Sequence, residues 1–233
     1  MHARRLLAGF VSTLLLGTGL AVLPATGALA DSAPIDPADP ATPVTVTADP
    51  LPTVQINGVA WSQVVVGDVV YVAGRFTTAR PAGAAPGVGE VPRNNVLAYD
   101  IRTGALITSF APSLNGQALT VAASPDGSRI YVGGDFTQVN GQPRSRIAAL
   151  TPAGELVANW RPAVQGQVRA IAATNDFVYF GGNVTAVGAV SRTRLAVVTA
   201  ADGSLTTWAP VPGYGPTAGN TDGSRVLTNE VLS

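Results

Sequence analysis

The chain has 233 residues, enough for one sizeable core or two small ones at the usual ~100–200 residues per domain, and 12% of them are charged against the ~25% of an average soluble domain. All 14 basic residues are Arg, there are 14 acidic residues and no Cys, and the one His is His2. With no thiol, and no imidazole beyond residue 2, cysteine nucleophiles, Cys/His zinc sites, Ser-His-Asp triads and His-ligated haem are excluded, and so near-neutral a surface carries no electrostatic footprint for nucleic acid or anionic lipid.

Residues 1–30 have the three parts of a secretory signal peptide. Arg4 and Arg5 precede an apolar run from Leu6 to Leu23, and Ala28-Leu29-Ala30 supplies small residues for cleavage. Cleavage would leave 12 basic and 14 acidic residues, a net charge of −2. An uncleaved membrane anchor is the alternative, and it would be the chain's one route to a membrane. Residues 31–55 follow as a Pro/Thr/Ala-rich linker, with six prolines between Asp31 and Thr53 and no aromatic residue. Such a stretch buries too little apolar surface to order itself, unless Val44 to Val46 extend along a sheet edge.

From residue 56 onward the chain repeats. Val-Val-Tyr-Val-Ala-Gly-Arg-Phe from Val69, Arg-Ile-Tyr-Val-Gly-Gly-Asp-Phe from Arg129 and Phe-Val-Tyr-Phe-Gly-Gly-Asn-Val from Phe177 align on Tyr71, Tyr131 and Tyr179 and on Gly74, Gly134 and Gly182. Downstream, Phe110, Trp160 and Trp208 form one column and Pro112, Pro162 and Pro210 another. The second and third tyrosines are 48 residues apart and the first two 60 apart, the excess being an insertion at Arg80 to Pro92.

The third unit shows how each parses by alternation and turn signals. Strands are predicted over 167–173, 177–187, 194–199 and 205–208, separated by turns at Asn175-Asp176, Gly188-Ala189 and Asp202-Gly203. Four strands in ~40–50 residues, repeated, is the pattern of a β-propeller blade. The aromatic columns are then expected to pack between blades. The paired glycines mark a bulge or a close backbone approach. A further unit begins at Thr221 to Thr228, but Asn229-Glu230 stands in place of the glycine pair. The expected fold is therefore all-β, with about three complete four-stranded antiparallel blades plus a truncated fourth, as in a fragment of a closed propeller.

The run from Tyr131 to Leu150, together with Gly154 to Val164, resembles the delta-sixty repeat propellers of exported bacterial proteins. A weaker similarity runs to the propeller repeats of a fungal cell-polarity cortical marker. The resemblance covers about Val59 to Ser233 and implies a secreted propeller, often joined to other extracellular modules. It carries no catalytic residues to transfer. The third unit departs from the pattern at Asn183-Val184, where Asp135-Phe136 stands in the second.

Two arginine pairs, Arg144/Arg146 and Arg192/Arg194, recur at one place in successive units. They would either grip an acidic ligand with their planar forks or serve the fold. Asp126, Asp135, Asp176, Asp202 and Asp222 are the candidate carboxylates. Four of these five adjoin turns, where Asp bonds its own backbone. Asn183-Val184-Thr185 matches a glycosylation sequon but falls in the predicted second strand.

No catalytic, metal or cofactor set emerges, and no cofactor is expected. The expected function is a secreted or cell-envelope, non-catalytic binding or scaffold module for an extracellular protein or glycan, without a nucleic-acid partner. The alternatives are a carboxylate-dependent extracellular carbohydrate-active enzyme and, further off, a quinone-dependent dehydrogenase.

Overall fold

The period-two alternation of Val, Ile and Tyr with small residues yields strands throughout the computed structural model, which describes residues 52–210 and contains no helix among them. The signal segment, Val44 to Val46, Asp222 and the beginning of a further unit lie outside the described residues.

In chain order, the first unit comprises β1 (Gln55–Ile56), β2 (Val59–Val66), β3 (Val69–Arg75), β4 (Thr78–Arg80), β5 (Val91–Pro92) and β6 (Val96–Asp100). The second comprises β7 (Ala118–Ala123), β8 (Ile130–Gly134), β9 (Gln138–Val139), β10 (Gln142–Pro143) and β11 (Ile147–Leu150). The third comprises β12 (Val164–Gln165), β13 (Val168–Ala173), β14 (Phe177–Gly182), β15 (Ala186–Val187), β16 (Val190–Ser191) and β17 (Leu195–Thr199). Each unit has one antiparallel three-stranded sheet, β2-β3-β6, β7-β8-β11 or β13-β14-β17, and beside it one small sheet of two or three short strands.

The three larger sheets stack in chain order, the middle one packing through both of its faces. Tyr71, Ala73, Val96, Ala98 and Phe110 of the first unit share a core with Val121, Ile130, Val132, Ala148 and Leu150 of the second. Tyr131, Ile147, Ala149 and Trp160 then pack on Val168, Ile171, Val178, Phe180, Ala196 and Val198 of the third. Successive residues of β8 and β11 thus serve opposite cores, and that is why these strands read as continuous apolar runs.

The aromatic columns work within this frame. Tyr71 meets Phe110 edge-on, with ring centroids 5.0 Å apart, and Tyr131 meets Trp160 at 5.1 Å, each pair lying between two sheets. Trp160 also donates its indole N–H to the Thr199 carbonyl of the next unit at 3.0 Å. The order is head to tail, with the aromatic face of one sheet covered by the opposite face of the next. The pair Tyr179 and Trp208, 6.1 Å apart, occupies the same face of the third sheet.

Three expectations are corrected. The predicted strand over 177–187 ends at Gly182, and residues 183–185 bend away before β15. Arg194 provides the reason: its left-handed backbone (φ 69°) bonds both Gly182 N–H and the Val184 carbonyl, folding the chain at that point. The fourth strand, predicted over 205–208, is reduced to one bridge, Val198 to Leu205, as are Tyr99 to Leu106 and Leu150 to Leu156 in the other units. In the first two units the chain reverses at once, Phe110 N–H bonding Ile107 O and Trp160 N–H bonding Val157 O. Finally, Val54 and Gln55, at the end of the composition-defined linker, are tied to the first unit: Val54 N–H donates to Gly104 O at 2.9 Å, and Gln55 pairs with Arg80.

Candidate functional site

The first strand of every large sheet, β2, β7 or β13, is an edge strand, and these three edges lie side by side. Each contains a β-bulge at the same height. Ala60 pairs with Gly74 and Ser62 with Ala73, leaving Trp61 as the extra residue. Leu119 is the extra residue between Ala118 and Thr120, and Arg169 between Val168 and Ala170.

The glycine column is what makes room for these bulges. A Cβ on Gly74, Gly134 or Gly182 would lie 2.2, 2.1 or 2.3 Å from the carbonyl oxygen of Val59, Gln117 or Gln167, the residue just before the paired position on the bulged strand. The expected close backbone approach and the expected bulge are one feature.

A bulge redirects a side chain. Trp61, Leu119 and Arg169 all line one open cleft of about 660 Å³, together with Ser62, Gln117 and Gln167. Trp61 is 52% exposed, Leu119 is half-buried and Arg169 is exposed. An indole, an alkyl group and a guanidinium thus occupy equivalent positions in three successive units.

Asp135 ties the end of this cleft together. Its Oδ2 accepts from Gln117 Nε2 at 2.5 Å and its Oδ1 from Gln167 Nε2 at 2.7 Å, so one carboxylate joins the starts of β7 and β13. Gln167 Oε1 is shielded from solvent and receives no hydrogen bond. A second cleft, of about 510 Å³, adjoins at Gln117 and sets Arg75 of the first unit near Asp135 of the second.

The recurring arginines serve the fold. Arg144 is buried and donates to its neighbour Pro143 O at 2.7 Å and to Ala158 O at 3.2 Å; Arg192 donates likewise to Ser191 O and Thr206 O. A third member, Arg93, donates to Pro92 O and Thr108 O. Burial lowers the guanidinium pKa of Arg93 and Arg144, and the carbonyls around each fork stabilise the charge that remains. Arg146 and Arg194 have left-handed backbones (φ 68° and 69°), shared with Asn95 (φ 71°) in the first unit. Their guanidinium groups donate to the Asp135 carbonyl and to Asn183 Oδ1 respectively.

The remaining carboxylates are turn residues. Asp126 Oδ1 accepts from Ser124 Oγ, Ser128 Oγ and Ser128 N–H, and Asp202 Oδ1 accepts from Thr199 Oγ1 and Ser204 N–H; each carboxyl is drawn down to about 2 by those donors. Asp176 sits at the bend before β14, where its carbonyl accepts from Ala200 N–H. The sequon lies in the 183–185 bend, with Val184 buried and Asn183 exposed and bonded to Arg194.

Reading residue types missed the bulge triad, because its three members share none. Their similar offset from the glycine column was the available signal: each lies 13 or 15 residues before its glycine, at 61/74, 119/134 and 169/182. Asn57 and Asn115 were missed as well. Each accepts two backbone N–H bonds from the following Thr77-Thr78 or Thr137-Gln138 and pins the loop beside the bulge. No protein-family model matches the chain, and no curated protein matches it.

Proposed function

We propose that this chain is an exported, non-catalytic binding module whose stacked sheets are β-propeller blades, and that its binding surface is the edge-strand cleft of Trp61, Leu119 and Arg169. The observation that supports this most is the bulge itself. One backbone device recurs in three units at fixed geometry, supported by glycines, while the side chain it displays changes. A scaffold that conserves geometry and varies chemistry at one position is suited to recognition.

Other features agree with this reading. The three-part amino terminus supports export to the cell envelope or beyond. The head-to-tail stacking of sheets, each covering the aromatic face of its predecessor, is how blades follow one another, in keeping with the resemblance to delta-sixty repeat propellers. Asp135, the acid at the end of the cleft, has both oxygens held by amides, a state that favours bridging strands over donating a proton to a leaving group.

The test is to present the purified secreted chain with extracellular glycans and proteins and to measure binding and turnover together. Saturable binding that weakens on Trp61→Ala, with no product formed, is expected. Turnover abolished by Asp135→Asn would overturn the reading in favour of a carboxylate-dependent enzyme.

A further inference from the structure

We infer that the bulge-lined cleft takes an extended anionic glycan of the uronate class, with Trp61 as the platform for a sugar ring and Arg169 as the ligand for a carboxylate. This rests on the binding-module reading and adds the chemistry of the ligand.

The cleft offers two complementary groups, an indole face and a guanidinium fork. Trp160, an indole belonging to the repeat, is fully buried, whereas Trp61 lies outside the aromatic columns, and its bulge leaves it 52% exposed. An exposed indole presents a flat apolar face and an N–H donor, matching a sugar ring with its apolar face and peripheral hydroxyls. The Arg169 side chain makes no hydrogen bond or ion pair among the described residues, unlike those of Arg93, Arg144, Arg146, Arg192 and Arg194. Its planar fork is therefore open to bidentate contact with a carboxylate.

The spacing favours a chain of sugars over a single one. Trp61 and Arg169 belong to the first and third of three adjacent edge strands and line one cleft with Leu119 of the strand between them, so a ligand touching both must cross that middle edge.

The same geometry disfavours a peptide. An edge strand ordinarily recruits a peptide by strand addition, but here every edge is interrupted by a bulge at one height. In addition, Val121 N–H, on the β7 edge, already donates to Ser62 Oγ at 3.2 Å. What the cleft presents is side-chain chemistry: ring, fork and amides.

The experiment is calorimetric titration of the full secreted chain with a short galacturonate oligomer, its carboxyl-reduced neutral counterpart and poly-glutamate. The expected result is saturable binding of the galacturonate oligomer, with Trp61→Ala and Arg169→Gln each weakening it about tenfold or more. Arg169→Gln should also erase the preference for the acidic over the reduced oligomer, while Trp61→Ala weakens both alike. Both side chains are exposed, so unchanged thermal midpoints are expected to accompany these losses. The inference is overturned by absence of saturable binding, by affinities unchanged in both variants, or by poly-glutamate binding as tightly through the same residues. If galacturonate fails while another extracellular ligand binds and is lost on Trp61→Ala, the module reading stands and the uronate assignment falls. Release of reducing ends from the oligomer would instead remove the module reading.

Discussion

Tyr71 Oη donates to the Pro152 carbonyl at 3.1 Å, fastening the first sheet to the turn that ends the second. Tyr131 holds the same place in the second sheet and is fully buried, yet its hydroxyl reaches no carbonyl and has only the Arg129 guanidinium beside it. The difference lies two residues earlier. Arg129 stands where the first unit has Val69, and its guanidinium takes the Ala200 carbonyl at the turn that ends the third unit.

The two hydroxyls should therefore respond unequally to removal. Tyr71→Phe loses a hydrogen bond to a carbonyl, costing about 1 kcal/mol, whereas Tyr131→Phe removes a buried hydroxyl that reaches no carbonyl and should be closer to neutral. Urea unfolding of the two variants checks this. Equal losses would mean that Tyr131 finds a partner in solution, most simply a water.

The glycine column should be intolerant in proportion to the approach it permits. A methyl group at Gly134 would lie 2.1 Å from Gln117 O, a clash with backbone, whereas at Gly188 it would meet nothing within 4 Å. Gly188 is left-handed (φ 58°), so Gly188→Ala should cost only the ~1 kcal/mol of that conformation. Gly134→Ala should exceed it several-fold, because the bulge must be lost or the strands must part. Thermal midpoints of the two variants decide the matter, and comparable shifts would show that the bulge is not held by the glycine.

These cases show what could be read in the sequence. Tyr, Gly, Trp and Pro recurring at matched offsets revealed the stacked sheets, because burial at a fixed place demands a fixed residue type. Turn signals such as Asp202-Gly203 were equally plain, because Asp and Gly act locally. The end of the second strand at Gly182 was hidden, since Arg194, twelve residues away, enforces it through a backbone conformation that arginine seldom adopts. Arg93 escaped because the insertion at Arg80 to Pro92 displaces it from the register of Arg144 and Arg192. The triad Trp61, Leu119 and Arg169 was invisible to any search for shared residue types, because a bulge is fixed by the backbone and places little demand on the side chain it turns outward.

Acid should weaken the turns. Asp126 and Asp202 have carboxyl pKa values lowered from 3.8 to about 2, chiefly by hydroxyl donors of Ser124 and Thr199. A depressed folded-state pKa contributes stability that is complete above the unfolded value and is lost as pH falls through the folded one. The window here runs from about 3.8 down to about 2. The double variant Asp126→Ala/Asp202→Ala should be less stable than the parent above that window and should converge with it at the acid end. Melting curves across these pH values test this, and a gap that persists unchanged at the acid end would assign the cost to the lost turn residues and not to their charge.

The exposed aromatic face of the third sheet yields the last prediction. Phe110 and Trp160, covered by the following sheet, are 1% and 0% exposed, whereas Trp208 in the same column is 47% exposed. Trp160→Ala should therefore cost about 3–5 kcal/mol, from lost transfer free energy and the cavity left behind, together with its bond to Thr199 O. Trp208→Ala should cost under about 1.5 kcal/mol, in keeping with partial burial. Iodide quenching gives an independent reading in a Trp61→Phe background, where Trp208 should supply the accessible fluorescence and Trp160 the shielded part. If Trp208 instead proves shielded and its removal as costly as that of Trp160, a further sheet covers this face in solution, continuing the head-to-tail order that joins the first three.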